Sequence, residues 1–275
     1  MRLNVKQYVA EKKDNLKERI AALDEVPSLL IIQVGDNPAS NSYIKGKMKD
    51  CEEVGINAIL LKEDEKWFRE NGVFDYNNFS YMISNADGVI LQLPVENKNL
   101  EHMITNSIRL CQDVDGFQLG SPFKPCTPAG IIDYLENGLH ENLAGKVITV
   151  VGKGPLVGGP IVPMLMEKGA TVISCNSRTK SLSTMIELAD IVISAVGKAN
   201  LIDMEYCIRD GQIIIDAGTA RDENDKLCGD VDKRIYDLDH VRVTTVPGGV
   251  GLLTRLQLLD NVVTAAERKG GYVCE

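Results

Sequence analysis

The sequence is poor in residue types and patterns that mark several large protein classes. Aromatic residues make up 5% of its 275 residues, with one tryptophan, and the three histidines are scattered. No apolar run approaches the roughly 18 residues that a membrane-spanning helix requires. Neither a His-Glu-x-x-His motif nor a Cys-x-x-Cys pair occurs, so the sequence predicts no metal site and no membrane partner.

Charge and cysteine content exclude further classes of protein. The net charge is −9 and no basic arm is visible, which argues against a nucleic-acid partner. The seven cysteines are odd in number and lack paired spacing, so reduced thiols are expected rather than a disulfide framework. The first twenty or so residues are charged and lack the apolar core of a signal peptide. We therefore expect a cytoplasmic globular protein.

A glycine-rich segment from residue 145 to 179 dominates the sequence pattern. A β-branched run at 147–151 leads through a glycine turn into a helical stretch, and a second β-branched run follows at 171–174. Strand, turn, helix and strand form the unit of a dinucleotide site, where glycine lets the backbone approach a pyrophosphate at a helix N-terminus. The spacing Gly-x-Gly-x-x-x-Gly is one residue longer than usual, so an ordinary strand–turn–helix is the alternative.

The end of the second predicted strand favours NADP over NAD. An NAD site usually places a carboxylate there, which binds the ribose 2′-hydroxyl. Here the strand runs into Asn176-Ser177-Arg178-Thr179 instead. Arg178 and the hydroxyl of Ser177 suit a 2′-phosphate, and Lys153 in the glycine turn adds a second positive charge. A solvated loop cation is the alternative for Arg178, and NAD is the less favoured cofactor.

The first half of the chain predicts a separate α/β unit with candidate ligand-binding side chains. Tyr43 and Lys47 are four residues apart on a predicted helix and so share a face, either as a surface pair or as a pocket wall. Gln92 ends an apolar strand, where it is a satisfied core amide or points into a cleft. Asp113 and Asp115 lie in a turn-rich link between domains, and turn capping is their alternative role.

Several stretches together resemble the methylenetetrahydrofolate dehydrogenase/methenyltetrahydrofolate cyclohydrolase family. They occur in the family's order and cover nearly the whole chain. The stretches are VGDNPASNSYIKGKMKDCEEVGI, DGVILQLPV, DVDGF, PCTPAGI, LVGGP, ATVISCNSRT, ADIVISAVGK, GDVD and VPGGVG. Each stretch is weak alone, whereas the combination is highly specific.

The resemblance implies two α/β domains around a cleft. An N-terminal α/β substrate domain would span residues 1–120 and carry the folate chemistry. A Rossmann-like dinucleotide-binding domain would span residues 121–251, and the C-terminal helix, 252–275, would return to the first domain. The resemblance also implies a homodimer that acts on tetrahydrofolate derivatives.

The resemblance assigns roles to individual residues as well. Lys47 would be the catalytic lysine, Tyr43 would stack on the ring between pterin and glutamate, and Gln92 would orient Lys47. Asp115 would accept hydrogen bonds from the pterin, because a carboxylate presents two acceptor oxygens. The expected folate border is Pro247, Gly248 and Gly249. The expected dinucleotide-binding residues are Gly152, Lys153, Gly154, Val157, Gly158, Ser177, Arg178 and Thr219.

The implied activity has two steps. The first oxidises 5,10-methylenetetrahydrofolate to 5,10-methenyltetrahydrofolate with NADP, and the second hydrolyses that product to 10-formyltetrahydrofolate. Hydrolysis needs a proton acceptor and donor, so the pKa of Lys47 is predicted to fall from about 10.4 towards working pH. The alternatives are the same fold with NAD or with one activity, and a non-catalytic folate- or nucleotide-binding protein.

This chain departs from the family's pattern mainly around the cofactor. The turn Gly152-Lys153-Gly154 replaces the family's Gly-Arg-Ser, which keeps the positive charge and loses the planar guanidinium. Asn176 stands where the family has histidine. These departures concern cofactor preference more than folate binding.

Overall fold

The computed structural model describes residues 1–72, 79–206 and 208–269 of the chain. The chain forms two compact units. The three-stranded unit contains residues 12–124 and the chain from residue 257 onward, and the five-stranded unit contains residues 1–11 and 125–256. Each unit is built on a parallel sheet, so the predicted two-domain α/β class is confirmed.

The three-stranded unit has the strand order β2–β1–β3. Its strands are β1 (Ser28–Val34), β2 (Asn57–Glu63) and β3 (Gly88–Leu91). Its helices are α2 (Pro38–Val54), α3 (Glu65–Trp67), α4 (Phe79–Asn85) and α5 (Lys98–Ser107). The central strand β1 is buried along its length except at its two ends, which explains its unbroken apolar sequence.

The five-stranded unit has the strand order β10–β7–β6–β4–β5. Its sheet strands are β4 (Val147–Val151), β5 (Thr171–Cys175), β6 (Ile191–Ser194), β7 (Ile213–Asp216) and β10 (Arg242–Val243). A separate antiparallel pair consists of β8 (Ala220–Arg221) and β9 (Leu227–Cys228). Its helices are α6 (Cys126–Asp133), α7 (Gly158–Glu167) and α8 (Leu182–Glu187). The predicted strand–turn–helix–strand is therefore present.

The first and last helices each cross from one unit into the other. Helix α1 spans Val5–Ala21 and helix α9 spans Val250–Lys269. The expected domain 1–120 includes residues 1–11, whereas the structure packs them with the five-stranded unit. The reason is backbone pairing, because the N–H of Leu3 donates to the carbonyl of Val243 at 2.9 Å. Residues 270–275 of the expected C-terminal segment lie outside the described residues.

Helix α2 begins and ends where its capping residues predict. The side chain of Asn37 accepts hydrogen bonds from the N–H groups of Ala39 and Ser40 at 3.0 and 3.1 Å, as an N-cap does. Gly55 ends the helix with a φ of 93°, a left-handed conformation that glycine adopts without steric cost. These two caps fix the position of Tyr43 and Lys47 along the helix.

The expectation of reduced cysteines is wrong at one position. Cys51, Cys126, Cys175 and Cys228 are free and buried, but Cys111 is disulfide-bonded. A disulfide can join residues that are remote in sequence, so the absence of a Cys-x-x-Cys pair did not exclude one.

A similar connector between a helix and a strand occurs in both units. The segment MISNADGVI at 82–90 leads from α4 into β3, and MIELADIVI at 185–193 leads from α8 into β6. A glutamine fixes the end of each helix. The Nε2 of Gln112 donates to a carbonyl at the end of α4 at 2.7 Å, and the Nε2 of Gln212 donates to one at the end of α8 at 2.7 Å.

An aspartate in each connector also holds the start of the first strand, in chain order, of its parallel sheet. Asp87 accepts a hydrogen bond from the N–H of Ser28, the first residue of β1, at 2.8 Å. Asp190 accepts one from the N–H of Val147, the first residue of β4, at 2.8 Å. The amino ends of the two sheets are thus fixed by the same pair of side-chain types.

A buried ion pair joins α1 to α2 in the three-stranded unit. The Nζ of Lys13 lies 2.7 Å from Asp50 Oδ1 and 2.8 Å from Glu53 Oε2. Lys13 and Asp50 are each 7% exposed. Removal of one partner from such a pair leaves the other charge buried and uncompensated.

The variant K13M should therefore lower the free energy of unfolding by about 3 kcal/mol. Chemical denaturation of the intact chain measures this loss. The matched control is K17M, since Lys17 pairs with Asp14 on the surface of the same helix with the two side chains 44% and 71% exposed. That variant should change stability by less than about 1 kcal/mol, and equal losses in the two variants would contradict the prediction.

Candidate active site

Helix α2 places a lysine among its buried residues, which also include Ser40 and Asp50. Ile44, Cys51 and Val54 are buried on the same face of the helix, and Lys47, at 5% exposure, lies among them. Burial of an ammonium group costs free energy unless the group is paired with a charge or hydrogen-bonded. The position of Lys47 therefore depends on the side chains around it.

Two of the predicted site residues contact Lys47. Its Nζ lies 3.1 Å from Gln92 Oε1 and 5.3 Å from the centre of the Tyr43 ring, within the range of a cation–π interaction. The Nε2 of Gln92 donates to the carbonyl of Leu93 at 2.8 Å, which turns the oxygen of the amide towards the lysine. The structure thus brings Tyr43, Lys47 and Gln92 together, and their catalytic roles stay predictions.

Gln92 reaches Lys47 because it follows directly after β3. Its backbone N–H donates to the carbonyl of Ile32 at 2.8 Å, so the pairing of β1 with β3 continues for one residue beyond the strand. The side chain is half-buried and lies at the carboxyl edge of the sheet. Ligands of open α/β sheets bind at this edge, and this position favours the cleft interpretation of Gln92.

The two aspartates of the DVDGF stretch differ in their surroundings. The carboxylate of Asp113 accepts hydrogen bonds from the N–H groups of Gly116 and Gln118 at 3.2 and 2.9 Å, so Asp113 caps the turn. Asp115 is half-buried. A parallel bridge pairs Asp113 with Val89 in β3, so the chain after Asp113 runs towards the edge where β3 ends. The folate-binding role of Asp115 stays a prediction.

The five-stranded sheet has a topological switch point beside its first strand. The chain passes from β4 to β5 on one side, then crosses back to β6 on the other side of β4. Loops that leave the carboxyl ends of β4 and β6 therefore diverge, and doubly wound sheets bind ligands in the crevice that results. The predicted glycine turn occupies this place.

Two of the three glycines in the turn have a packing reason. A Cβ on Gly152, whose φ is 110°, would lie 2.4 Å from the carbonyl oxygen of Ala195, and a Cβ on Gly158 would lie 2.1 Å from that of Gly152. A Cβ on Gly154 would meet nothing within 4 Å. Gly152 and Gly158 are thus required by contacts within the protein, whereas Gly154 borders open space.

The N-terminus of α7 is suited to an anion. Val157 is its N-cap residue and makes no side-chain cap. The N–H of Gly159 donates to the carbonyl of Gly154 at 2.8 Å and Pro160 has no N–H, so the helix dipole is the main feature that this end offers to an anion. The positive end of this dipole attracts negative charge. The predicted residues from Gly152 to Gly158 therefore fit a dinucleotide pyrophosphate.

The predicted 2′-phosphate residues lie on a short, closed loop after β5. The side chain of Asn176 accepts a hydrogen bond from the N–H of Arg178 at 2.8 Å, and Ser177 and Arg178 are exposed. Lys153 is exposed too and lies near the end of β5, because the N–H of its neighbour Gly152 donates to the carbonyl of Cys175 at 3.0 Å. Burial raises the pKa of the Cys175 thiol, and the positive charge of Lys153 opposes the rise.

The remaining predicted residues follow β7 and β10. Thr219 is exposed, and its carbonyl oxygen is 3.3 Å from the place of a Cβ on Gly197. Pro247 is exposed, and Gly248 has a φ of 97°. A Cβ on Gly249 would lie 2.5 Å from a backbone oxygen. The geometry therefore explains the glycines of this stretch, and its contact with folate stays a prediction.

Sequence reasoning did not single out two buried aspartates near this edge. Asp216 and Asp230 are both 0% exposed. The carboxylate of Asp216 accepts hydrogen bonds from the N–H groups of Gly218, Asp230 and Val231, each at 3.0 Å. Burial nevertheless raises the pKa of Asp216 to about 6. The sequence does contain a signal for both aspartates. Asp216 ends an apolar strand, and Asp230 lies in the GDVD stretch.

The raised pKa of Asp216 predicts how stability depends on pH. Between about pH 4 and 6 the folded chain keeps a proton that the unfolded chain loses. Stability from this group is therefore greatest at low pH and falls as pH rises to about 6. Relative to D216N, the wild type should gain up to about 3 kcal/mol between pH 7 and pH 4. Denaturation of both proteins across this range measures the difference, and a constant difference would contradict it.

The fold and these sites define the class of two-domain α/β enzymes with an NAD(P)-binding domain. Residues 3–115 match the model of the tetrahydrofolate dehydrogenase/cyclohydrolase catalytic domain, and residues 125–270 match that of its NAD(P)-binding domain. The chain belongs to the tetrahydrofolate dehydrogenase/cyclohydrolase family. The resemblance read from the sequence is thereby confirmed.

Similar proteins cover nearly the whole chain. The bifunctional protein FolD of Bacillus anthracis is 38% identical over 97% of this chain and 96% of its own. The crystal structure of the bifunctional enzyme FolD from Campylobacter jejuni matches with a TM-score of 0.86 at 34% identity, over 98% and 99% of the two chains. That of the Thermoplasma acidophilum bifunctional dehydrogenase/cyclohydrolase matches with a TM-score of 0.81 at 28% identity, over 99% and 100%.

The described residues also bear on membrane and metal binding. Within the described ranges, each helix is too short or too polar to cross a membrane. The same ranges hold no group of three or more His, Cys, Asp and Glu side chains arranged to bind a metal ion.

Proposed function

We propose that the chain oxidises 5,10-methylenetetrahydrofolate with NADP and hydrolyses the resulting methenyl compound to 10-formyltetrahydrofolate. Membership of the dehydrogenase/cyclohydrolase family supports both reactions. The observation that carries the proposal is the cluster in which the buried Lys47 contacts Gln92 and Tyr43. A pure binding protein has less need of a buried ammonium group, so the cluster favours catalysis over folate or nucleotide binding alone.

Lys47 is the proton-transfer group of the hydrolytic step. Water attacks the methenyl carbon, and Lys47 as the neutral amine takes a proton from that water. The ammonium then returns a proton to the nitrogen whose bond to the carbon breaks, and the remaining hydroxyl proton of the adduct is released to solvent as the formyl C=O bond forms. A lysine can do this only if burial favours its neutral form near working pH, and Lys47 is 5% exposed.

Gln92 and Tyr43 position the reacting groups. The amide oxygen of Gln92 holds Nζ of Lys47 at one place, and its amide nitrogen is held by the carbonyl of Leu93. The Tyr43 ring offers an apolar face for the aromatic ring of the folate. Asp115 binds the pterin through its carboxylate, and Pro247 to Gly249 border the folate, as the family resemblance implies.

The oxidative step depends mainly on orientation. When bound, the nicotinamide ring of the dinucleotide supplies the acceptor for the hydride that leaves the methylene carbon. The resulting cation is delocalised over two nitrogens, so this step needs less acid–base help than hydrolysis. The glycine turn and the N-terminus of α7 would bind the pyrophosphate, and Thr219 lies at a further cofactor position.

NADP is the proposed cofactor because of the charges around the end of β5. Arg178 and Lys153 are exposed there and Ser177 offers a hydroxyl, which suits the three oxygens of a 2′-phosphate. The sequence of this loop, Asn176 to Thr179, has no carboxylate for a ribose 2′-hydroxyl. NAD is the alternative cofactor. The homodimeric state and the cytoplasmic location remain predictions from the sequence.

The variant K47M should lower cyclohydrolase turnover by at least about 100-fold, because general acid–base catalysis contributes about that factor or more. The loss of methenyltetrahydrofolate absorbance measures turnover without any dinucleotide. The control is K49M, since Lys49 lies on the exposed face of the same helix, and it should keep wild-type turnover. A K47M turnover close to wild type would refute the role of Lys47.

The variant R178A should raise the KM for NADP about tenfold and leave the KM for NAD within about twofold. Loss of one charged hydrogen bond to phosphate has an effect of this size. NAD has no 2′-phosphate, so its binding does not include this hydrogen bond. K180A serves as the control, since Lys180 is an exposed cation two residues away. Equal changes for the two cofactors would contradict the assignment of Arg178 to the 2′-phosphate.

A further inference from the structure

Asp216 and Asp230 form a crossed pair beneath the dinucleotide edge of the five-stranded sheet. Asp216 is the last residue of β7, and its carboxylate binds the backbone N–H of Asp230. Gly218 and Gly229 make room for this arrangement. A Cβ on Gly218 would lie 2.2 Å from the carboxylate of Asp230, and one on Gly229 would lie 2.0 Å from that of Asp216. Each carboxylate is thus packed against the backbone next to the other aspartate.

The carboxylate of Asp230 holds the loop that follows β6. It accepts hydrogen bonds from the N–H groups of Val196, Gly197 and Lys198 at 2.8, 2.8 and 2.7 Å. The hydroxyl of Ser194, the last residue of β6, adds a fourth at 2.7 Å. Four donors match the acceptor capacity of one carboxylate, and three of them belong to consecutive backbone groups.

This loop is one wall of the switch-point crevice. Its first residue, Ala195, approaches Gly152 so closely that only glycine fits there, and Gly197 borders the carbonyl of Thr219. Gly152 and Thr219 are both proposed dinucleotide contacts. Because Asp230 engages the three N–H groups, they are not offered to a phosphate.

We propose that Asp230 is a positioning residue for the dinucleotide, which fixes the loop from Val196 to Lys198 in the shape that the cofactor binds. Asp216 acts one step further away, because it holds the backbone of Asp230 in place. The proposal rests on the proposed function of this unit. It concerns binding of the dinucleotide and leaves the hydrolytic chemistry of Lys47, in the other unit, unaffected.

The variant D230N tests the proposal with a nearly unchanged side-chain shape. One acceptor oxygen becomes an N–H₂ group that faces backbone donors, so the loop loses at least one hydrogen bond and gains a repulsive contact. The dissociation constant for NADP, measured by titration calorimetry, should rise at least tenfold. Cyclohydrolase turnover should stay within about twofold, and amide hydrogen exchange should speed up at residues 196 to 198.

The matched control is D222N in the same unit. Asp222 also accepts hydrogen bonds from backbone N–H groups, those of Asn224 and Lys226, each at 3.0 Å. It lies in the exposed turn between β8 and β9, and neither of these acceptor contacts involves the loop after β6. This variant should bind NADP as the wild type does.

Three outcomes would either overturn the proposed role of Asp230 or refute the dinucleotide binding on which that role rests. A D230N protein that keeps wild-type NADP affinity, even with a lower melting temperature, shows a purely structural role and overturns it. Failure of the wild type to bind either dinucleotide refutes the proposed function itself. If D230N does not fold, S194A replaces it, since that variant loses one of the four hydrogen bonds. Its NADP affinity should fall two- to fivefold, and unchanged affinity overturns the proposal.

Discussion

Parallel pairing of the strands is the constraint on which the candidate sites depend. In a parallel sheet every strand ends at the same edge, so the segments that follow the strands are collected there whatever their distance in sequence. In the three-stranded unit this places Gln92, after β3, next to a lysine of the helix that follows β1. In the five-stranded unit it brings the turn after β4 against the loop after β6.

The structure contains two buried lysines in the same unit with different surroundings. Lys13 is matched with Asp50 and Glu53, so its charge is compensated and serves to join two helices. Lys47 contacts the amide oxygen of Gln92 and the ring of Tyr43. Two lysines of similar burial thus have different contacting groups, one in an ion pair that joins two helices and one in the candidate active site.

Much of this arrangement could be predicted from local sequence. The apolar run of β1, the Asn37 and Gly55 caps of α2 and the glycine turn are short-range patterns, and the structure agrees with each. Contacts between distant segments were not predictable in this way. The pairing of Leu3 with Val243, the disulfide of Cys111 and the crossed aspartates depend on tertiary packing, which periodicity does not encode. The glycine turn shows the limit of local sequence, because its glycines are visible there but the close contacts of Gly152 with Ala195 and of Gly158 with Gly152 are not.

The repeated connector has a consequence for how the two units can change. Gln112 with Asp87 and Gln212 with Asp190 fix the amino ends of the two sheets with the same side chains. The carboxyl ends carry the candidate site around Lys47 in one unit and the glycine turn proposed to bind phosphate in the other. In each unit, the contacts that fix the sheet thus lie at its amino end, and the candidate binding residues lie at its carboxyl end. Substitutions at the carboxyl end can therefore change specificity while the contacts at the amino end keep the fold.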